Sequence, residues 1–362
     1  MGQWKELMYE SERRGHAARE RHVCGECLND NALAEFVSDH AEHNECEFCG
    51  TKQDAPFAAS LGDVIEYMAE CIREVYTDPV EELPYETAEG GWQGEVFNGF
   101  ELMAEIDFSC ESEELFDAIA SAFCDQEWCR DDYFRLEPSE RLRYGWDAFK
   151  QAVKHARRFT FWSIEDDKSE YDPDSMPVGG MLATIAGHIR DTELVKVIAK
   201  GAVIWRVRVH GPDTSFREDH ELSPPPTERA LQSNRMSPSG IVMFYGAEDF
   251  ATACAEAIDA GVNKDACVTG GAFRTIRDLR ILDLVNLPKM PGFFQQGTSE
   301  FRDTLSFLRH FAIDLAAPVT RDGREHIEYV PTQAFTEYVR HEMTLHDGAT
   351  VDGIRYRSAV NG

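Results

Sequence analysis

The sequence lacks any apolar run close to the roughly 20 residues that a membrane-spanning helix requires. It also lacks any excess of glycine and proline, which contribute 26 and 15 of its 362 residues, close to average usage. The first absence argues against a helical membrane protein, and the second against a collagen-like or low-complexity chain. The opening residues have no apolar stretch of the kind that a secretory signal carries. We therefore expect a soluble, cytoplasmic protein of two or three domains.

Basic residues are also scarce, with 36 lysines and arginines against 66 aspartates and glutamates and a net charge of −30. Residues 1–190 carry 17 basic and 42 acidic side chains, a net of −25, whereas residues 191–362 carry 19 and 24, a net of −5. Such a chain has no electrostatic basis for binding nucleic acid or an anionic membrane. Its acidic first half is either a solvated surface, a docking face for a basic partner, or a mimic of nucleic-acid charge.

The common motifs GxGxxG after a strand, GxxxxGK[ST] and HExxH are absent, so a nucleotide site of the usual kinds is not expected. Ten cysteines are present, and four of them form two CxxC pairs with 18 residues between the pairs. The pairs are Cys24 with Cys27, and Cys46 with Cys49. This spacing is typical of a structural zinc site that four thiolates close completely.

Two alternatives to zinc remain open at these cysteines. Disulfides would need an oxidising compartment, which nothing in the sequence indicates. Iron can also occupy a site made of four cysteines, although ligand softness and the CxxC spacing favour zinc. We expect the ion to stabilise the fold and to leave no coordination position open for chemistry.

Hydrophobic spacing predicts a mainly helical first half and a mixed second half, and hence an α+β protein. The predicted helices cover residues 3–22, 28–37, 60–76, 113–123, 139–157, 180–200, 249–260, 299–315 and 332–343. The predicted strands cover residues 202–209, 241–245, 279–284 and 352–358. A stretch rich in proline, glycine and aspartate at 172–180 predicts an exposed connection. We divide the chain into a zinc module at 1–56, an acidic helical domain at 57–195 and a third domain at 196–362.

Three side chains that could take part in binding or catalysis lie within about 20 residues of sequence in the third domain. A turn rich in serine, proline and glycine brings Arg235 ahead of the predicted strand that ends in Tyr245, and Glu256 follows two turns into the next helix. A second arginine, Arg206, lies on the preceding strand. Arginines are suited to bidentate phosphate binding, and they are unexpected at such junctions in an acidic protein.

These residues occur in the order and spacing of the RES domain family, which the chain resembles over about residues 200–362. The motifs are Trp205-Arg206, Asn234-Arg235-Met236-Ser237-Pro238 with Gly240, Phe244-Tyr245-Gly246, Glu256, and the run from Asp352 to Ser358. The resemblance implies a fold similar to ADP-ribosyltransferase toxins and cleavage of the nicotinamide bond of NAD by phosphorolysis or hydrolysis. The first half, with its two CxxC pairs and the motifs at 145–150 and 153–159, is similar to the HEPN/RES type of N-terminal domain.

The resemblance also implies a role for each site residue. Arg206 and Arg235 would bind the pyrophosphate and ribose of NAD, and Tyr245 would line the nicotinamide side of the pocket. Glu256 would stabilise the positive charge that develops on the ribose as nicotinamide leaves. Ser358 would bind the nicotinamide ribose or orient the attacking phosphate or water.

Three departures from the family pattern affect these expectations. Val207 stands where some members have an aromatic residue, and the sequence ends four residues after Ser358, where the family usually continues into another strand. The arginine and histidine that mark HEPN ribonucleases are not evident near Arg141, Arg143 or His155, so no ribonuclease activity is expected.

We therefore predict a toxin or antiphage defence effector that consumes NAD, with inorganic phosphate as one candidate acceptor. Such an activity needs restraint, which implies an inhibitory or triggering protein partner, as in toxin–antitoxin pairs, or a homo-oligomer. Two alternatives stay open. The same residues could transfer ADP-ribose to a macromolecule, or the chain could be a catalytically inert, zinc-containing interaction protein.

Overall fold

A computed structural model describes residues 21–88, 90–164, 174–258, 267–319 and 322–358. The predicted first helix at 3–22 lies outside these residues except for its last two positions. So do residues 172–173 of the predicted connection and the end of the sequence at 359–362. The chain forms two compact units, one made of residues 1–136 and 290–302 and the other of residues 137–289 and 303–362. Helices and strands are mixed, which confirms the predicted α+β composition.

The first unit consists of short helices and strand pairs. Its helices are α1 (Asn31–Asp39), α2 (Leu61–Ile72), α3 (Pro79–Glu82), α4 (Gly99–Glu105) and α5 (Glu113–Ala122). Its antiparallel strand pairs are β1 (His22–Cys24) with β2 (Ala58–Ser60), β3 (Tyr76–Thr77) with β6 (Cys129–Arg130), and β4 (Tyr85–Glu86) with β5 (Gly91–Trp92). Side chains begin two of these helices: Asp30 accepts hydrogen bonds at the start of α1, and Asn98 with Glu101 forms a capping box at α4.

Helix α2 is the centre of the first core. Leu61, Ile65, Met68 and Ile72 recur at helical spacing, and all four are fully buried. Phe294, from the segment 290–302, joins the same core and is only 2% exposed. A segment from late in the sequence therefore completes the hydrophobic core of the first unit.

The second unit contains longer helices and two small sheets. Its helices are α6 (Pro138–His155), α7 (Met181–Asp191), α8 (Asp219–Leu222), α9 (Phe250–Ala257), α10 (Ser299–Ala316, whose first turn belongs to the first unit), α11 (Glu325–Glu328) and α12 (Val330–His341). Its strands are β7 (Val195–Ile198), β8 (Val203–His210), β9 (Cys267–Arg274), β10 (Leu279–Asp283) and β11 (Gly353–Arg355). Strand β10 lies between β11, to which it is parallel, and β7, to which it is antiparallel. Strands β8 and β9 form a separate antiparallel pair.

Two predicted elements are wrong, and the short strands β1 to β6, as well as β7 and β9, were not predicted. The helix expected over 180–200 ends at Asp191, because Glu193 adopts a left-handed backbone conformation with φ of 51° and the chain then enters β7. The stretch 241–245 is not a buried strand: it has no strand structure, and Ile241 and Phe244 are exposed. Strand β9 was missed because its glycines and threonine interrupt the apolar alternation.

The remaining predicted helices and strands within the described residues are present, with ends shifted by a few positions. None of the helices described is both long enough and apolar enough to cross a lipid bilayer.

Candidate active site and metal centre

The four predicted metal ligands meet at one point in the first unit. The sulfur atoms of Cys24, Cys27, Cys46 and Cys49 all lie within 4.8 Å of one another. The Sγ atom of Cys24 is 3.6 Å from that of Cys27 and 3.8 Å from that of Cys49, and Cys27 and Cys46 are 3.7 Å apart. These distances are too long for disulfides. They match the edge of about 3.8 Å that a tetrahedron of sulfurs has when each Zn–S bond is about 2.3 Å.

Burial disfavours free thiolates at two of the four cysteines, whereas hydrogen bonding with Thr51 lowers the pKa of the exposed Cys49 to about 6. Burial raises the pKa of the Cys24 thiol to about 11 and raises that of Cys27 as well. Both thiols would therefore be neutral near pH 7 unless a cation replaced their protons. The residues present fit a divalent metal ion with four sulfur ligands and no open position, which suits a structural role.

Arg206, on β8, has an unusual environment for a cation. It is half-buried; its Nη1 donates a hydrogen bond to the main-chain oxygen of Tyr245 at 2.9 Å, and its guanidinium lies 5.3 Å from the ring centre of Phe244. Among the described residues, its buried Nε has no hydrogen-bond partner. Burial, and then the nearby Arg208, lower the pKa of Arg206 below its usual value. A buried cation with a free donor favours an anionic ligand.

Tyr245 is fixed by contacts on both sides of the loop that carries it. Its hydroxyl forms a 2.8 Å hydrogen bond with the hydroxyl of Ser237, which is almost fully buried. The next two residues bring the loop against β8: Ala247 exchanges two main-chain hydrogen bonds with Trp205, and a Cβ atom on Gly246 would lie only 2.5 Å from Ile204. Glycine is therefore required for this close approach.

Arg235 is a loop residue whose side chain binds the carboxyl end of helix α10. Its Nη1 donates to the main-chain oxygens of Leu315, at 3.0 Å, and of Ala317, at the carboxyl end of α10. Its guanidinium also lies 5.8 Å from the ring centre of Tyr329. The opposite side of its loop is held by α12, where Thr332 donates to the main-chain oxygen of Arg235. Within the described part of the chain, Nε and Nη2 of Arg235 have no protein partner and remain available for a ligand.

Glu256 and Ser358 are directly paired. The hydroxyl of Ser358 donates a hydrogen bond to the Glu256 carboxylate, which lies in the last turn of α9 and is exposed. Arg355, three residues before Ser358, anchors this end of the chain. Its two terminal nitrogens bind Asp283 at 2.9 Å and Glu248 at 2.6 Å.

Tyr356 lies among these residues, and its role was not predicted from the sequence. Burial raises the pKa of its hydroxyl, and the nearby Tyr245 and Glu256 raise that pKa further, while Arg235 lowers it. Three of the predicted site residues are therefore within electrostatic range of one phenol, which stays protonated at neutral pH. The available signal was its position, two residues before Ser358 in the same motif.

Two hydrogen bonds and the surroundings of Tyr356 relate the predicted residues of the second unit to one another. Arg206 donates to the main-chain oxygen of Tyr245, Ser358 donates to Glu256, and the charges or hydroxyls of Tyr245, Glu256 and Arg235 all influence the pKa of Tyr356. The arrangement offers two arginines whose remaining donors have no partner among the described residues, one exposed carboxylate and neutral phenols. That combination can bind a phosphate-containing ligand and stabilise a cationic centre beside it.

Two family models match the chain. Residues 39–167 match HEPN/RES N-terminal domain 1, and residues 203–362 match the RES domain. No curated protein and no solved structure matches the chain. The chain therefore belongs to the RES domain family and carries a HEPN/RES-type N-terminal domain, as its motifs predicted. A RES domain is consistent with a toxin-type enzyme that acts on NAD.

Proposed function

We propose that this RES domain cleaves the bond between nicotinamide and ribose in NAD and so consumes the dinucleotide. The observation that carries the proposal is that Arg206, Arg235 and the Glu256–Ser358 pair, each fixed by a hydrogen bond, all lie in one unit of an otherwise acidic protein. An ADP-ribosyltransferase-like fold for this domain is part of the same proposal.

The two arginines would bind the anionic part of the substrate. Each arginine donates hydrogen bonds from one terminal nitrogen to main-chain oxygens: Arg206 to that of Tyr245, and Arg235 to those at the end of α10. These hydrogen bonds fix the orientation of both side chains. The remaining nitrogens, which have no partner among the described residues, would donate to the two phosphates of NAD. Each guanidinium group can bind one phosphate through two parallel hydrogen bonds, so two oriented arginines match the two phosphates of NAD.

The carboxylate of Glu256 would act at the reacting ribose. As the bond between C1′ and the nicotinamide nitrogen breaks, its electron pair moves to nicotinamide and positive charge develops on the ribose. Glu256, oriented by Ser358, stabilises that charge, and an oxygen of water or phosphate then bonds to C1′. Addition of water releases one proton, whereas addition of phosphate gives ADP-ribose phosphate. Tyr245 and Tyr356 would line the nicotinamide side.

We further propose a biological role that follows from this chemistry. Loss of NAD arrests a cell, so the enzyme fits a cytoplasmic toxin or antiphage defence effector that an inhibitory or triggering partner, or a homo-oligomer, restrains. Zinc is the proposed occupant of the four-cysteine centre, because the sulfur tetrahedron matches its bond length. In this proposal the metal supports the fold and takes no part in the reaction.

The test is product analysis on the purified, folded full chain. It is incubated with NAD, with and without inorganic phosphate, and nicotinamide and the ribose product are separated by chromatography. We expect nicotinamide to be released. Its dependence on phosphate, with ADP-ribose phosphate as product, identifies a phosphorylase, and free ADP-ribose without phosphate identifies a hydrolase. ADP-ribose attached to a macromolecule would show that C1′ bonds to that acceptor rather than to water or phosphate. No nicotinamide release from a metal-loaded, folded chain would contradict the proposal.

A further inference from the structure

Helix α6 contacts Asp314 and Glu328, which directly precede Leu315 and Tyr329, two residues that contact Arg235. By sequence, residues 138–155 fall in the HEPN/RES N-terminal domain, yet α6 packs in the second unit with the RES domain. Trp146, Phe149 and Val153 on its inner face belong to the core of that unit. The helix is therefore structurally part of the unit that contains the candidate active site.

The first connection runs through Asp314. This residue lies in the last turn of α10, immediately before Leu315, whose main-chain oxygen accepts from Arg235. A carboxylate at a helix carboxyl end is electrostatically unfavourable by itself. Two groups on α6 compensate it: Trp146 Nε1 donates to Asp314 at 2.7 Å, and Lys150 Nζ lies 3.1 Å from both of its oxygens.

Lys150 is well placed to remain charged. Burial by itself favours the neutral amine, but hydrogen bonds to Asp147 and Asp314 raise the pKa of Lys150 above its usual value. Its side chain is 21% exposed, so solvent weakens this pair less than it does a pair on the open surface.

The second connection runs through Glu328. Lys154, one turn beyond Lys150, lies 2.6 Å from the carboxylate of Glu328 and is 15% exposed. Glu328 directly precedes Tyr329, the ring that faces the guanidinium of Arg235. One face of α6 thus fixes both the helix end that receives Arg235 and the aromatic ring beside it.

We infer that Lys150 and Lys154 are positioning residues for Arg235 and that the helix carrying them makes the N-terminal domain part of the active unit. The inference rests on the proposed role of Arg235 in binding NAD. It gives the HEPN/RES domain a direct means of controlling the RES domain, because a shift of α6 would move the supports of a substrate-binding arginine.

The test compares the full-chain variants K150M and K154M, and the double variant that carries both, with a control variant, R143M. Arg143 is an exposed cation on the same helix with no partner among the described residues, so R143M removes the same charge without touching either connection. If Arg235 binds phosphate equally in the ground and transition states, its displacement raises KM and leaves kcat nearly unchanged. We expect KM for NAD to rise about tenfold in the double variant. The single variant K150R, which keeps the charge that K150M removes, should have the parent value, and R143M should have no effect.

A double-mutant cycle separates this role from a general loss of structure. Affinity for NAD is measured by calorimetry in an E256Q background, which cleaves NAD slowly, with Arg235 present or replaced by alanine and each with and without the lysine substitutions. We expect the lysine substitutions to cost nothing further once Arg235 is alanine. An equal loss in both backgrounds, or an unchanged KM in the double variant, would overturn the inference.

A readout without NAD keeps the inference distinct from the proposed function. Asn234 and Ser237 flank Arg235 and exchange two main-chain hydrogen bonds. Their amides should exchange hydrogen faster in the double lysine variant and at the parent rate in R143M, with melting temperature recorded for each. Unchanged exchange would contradict the positioning role even if the chain consumes NAD. Faster exchange in a chain that neither binds nor cleaves NAD would support the positioning role and reject the proposed function.

Discussion

Arg206 shows most clearly how a single residue reveals the site. On sequence alone, an arginine on an alternating strand is as consistent with a solvent-facing side chain as with a ligand. The structure buries part of it, orients one nitrogen on Tyr245 and leaves Nε without a protein partner among the described residues. Its environment, which depends on a loop about 40 residues away, could not be read from local sequence.

Gly246 provides a test at the residue scale. Its added Cβ in G246A would meet Ile204 at 2.5 Å and the main-chain oxygen of Trp205 at 3.0 Å, so the loop that carries Tyr245 must move. We expect a loss of about 1–3 kcal/mol of stability, measured by chemical denaturation, and a marked rise in KM for NAD, measured by nicotinamide release. Gly211, whose Cβ would meet nothing within 4 Å, gives the control G211A. Equal behaviour of the two variants would show that the close approach is not required.

At the scale of elements, regular periodicity gave reliable predictions and short apolar runs did not. Helix α2 was predicted because its buried positions repeat every three to four residues. The run 241–245 has the composition of a buried strand, yet its Phe244 meets the ring of Phe273 edge-on and stays 40% exposed. Such a run becomes a strand only if a neighbouring strand is free to pair with it, and that depends on tertiary structure.

The four-cysteine centre connects β1 with the loop after α1, and its metal should hold this part of the first unit together. Substitution C46S removes one of four ligands. We expect loss of about one zinc per chain by elemental analysis and a lower melting temperature, because binding free energy is folding free energy at such a site. The exposed Cys267 lies outside the cluster, so C267S should keep the metal. Full metal content in C46S would exclude a four-cysteine centre.

Asp283 links β10 to β11 and so fixes the segment that ends in Ser358. Burial alone would raise its pKa, but hydrogen bonds from Asn286 and Val285 and the charge of Arg355 hold the pKa below its usual value. A carboxylate with a lowered folded-state pKa contributes stability above its unfolded-state pKa and loses it as pH falls through the folded-state pKa. We expect D283N to cost about 2 kcal/mol at neutral pH.

The measurement is denaturant unfolding of the parent and D283N at a series of pH values. The difference in stability should shrink as pH falls below the usual range of an aspartate. Asp213 is exposed, so D213N is the matched control and should show no pH-dependent difference. A gap between parent and D283N that stays constant into acid would rule out the carboxylate as its source.

At the scale of the whole molecule, the sequence families and the compact units divide the chain differently. Motif order identified the RES domain and its N-terminal partner domain correctly. Linear sequence could not indicate that residues 290–302, within the RES match, pack in the first unit, or that α6 packs in the second. Both depend on contacts between residues far apart in the chain. The boundaries predicted at 56 and 195 remain proposals.

Phe294 provides a test of the packing of residues 290–302 in the first unit. It is 2% exposed in the first core, where it meets Phe108 edge-on, and the main-chain oxygen of Phe294 accepts from the hydroxyl of Tyr67 at 2.8 Å. We expect F294A to cost about 3–5 kcal/mol and to accelerate hydrogen exchange in α2, although the residue lies within the RES part of the sequence. Phe134, which is 65% exposed, gives the control F134A. Unchanged exchange in α2 would contradict the packing of this segment.

The assignment of Glu256 is tested most directly by the rate of nicotinamide release from NAD by the parent chain, E256Q and E337Q. Glu337 is an exposed carboxylate on α12 with no partner among the described residues, so E337Q removes the same charge from the same unit. We expect release by the parent and by E337Q at similar rates, and a loss of at least about a hundredfold in E256Q, since the carboxylate acts on transition-state charge. Equal release by E256Q and the parent would contradict the assignment of the active site.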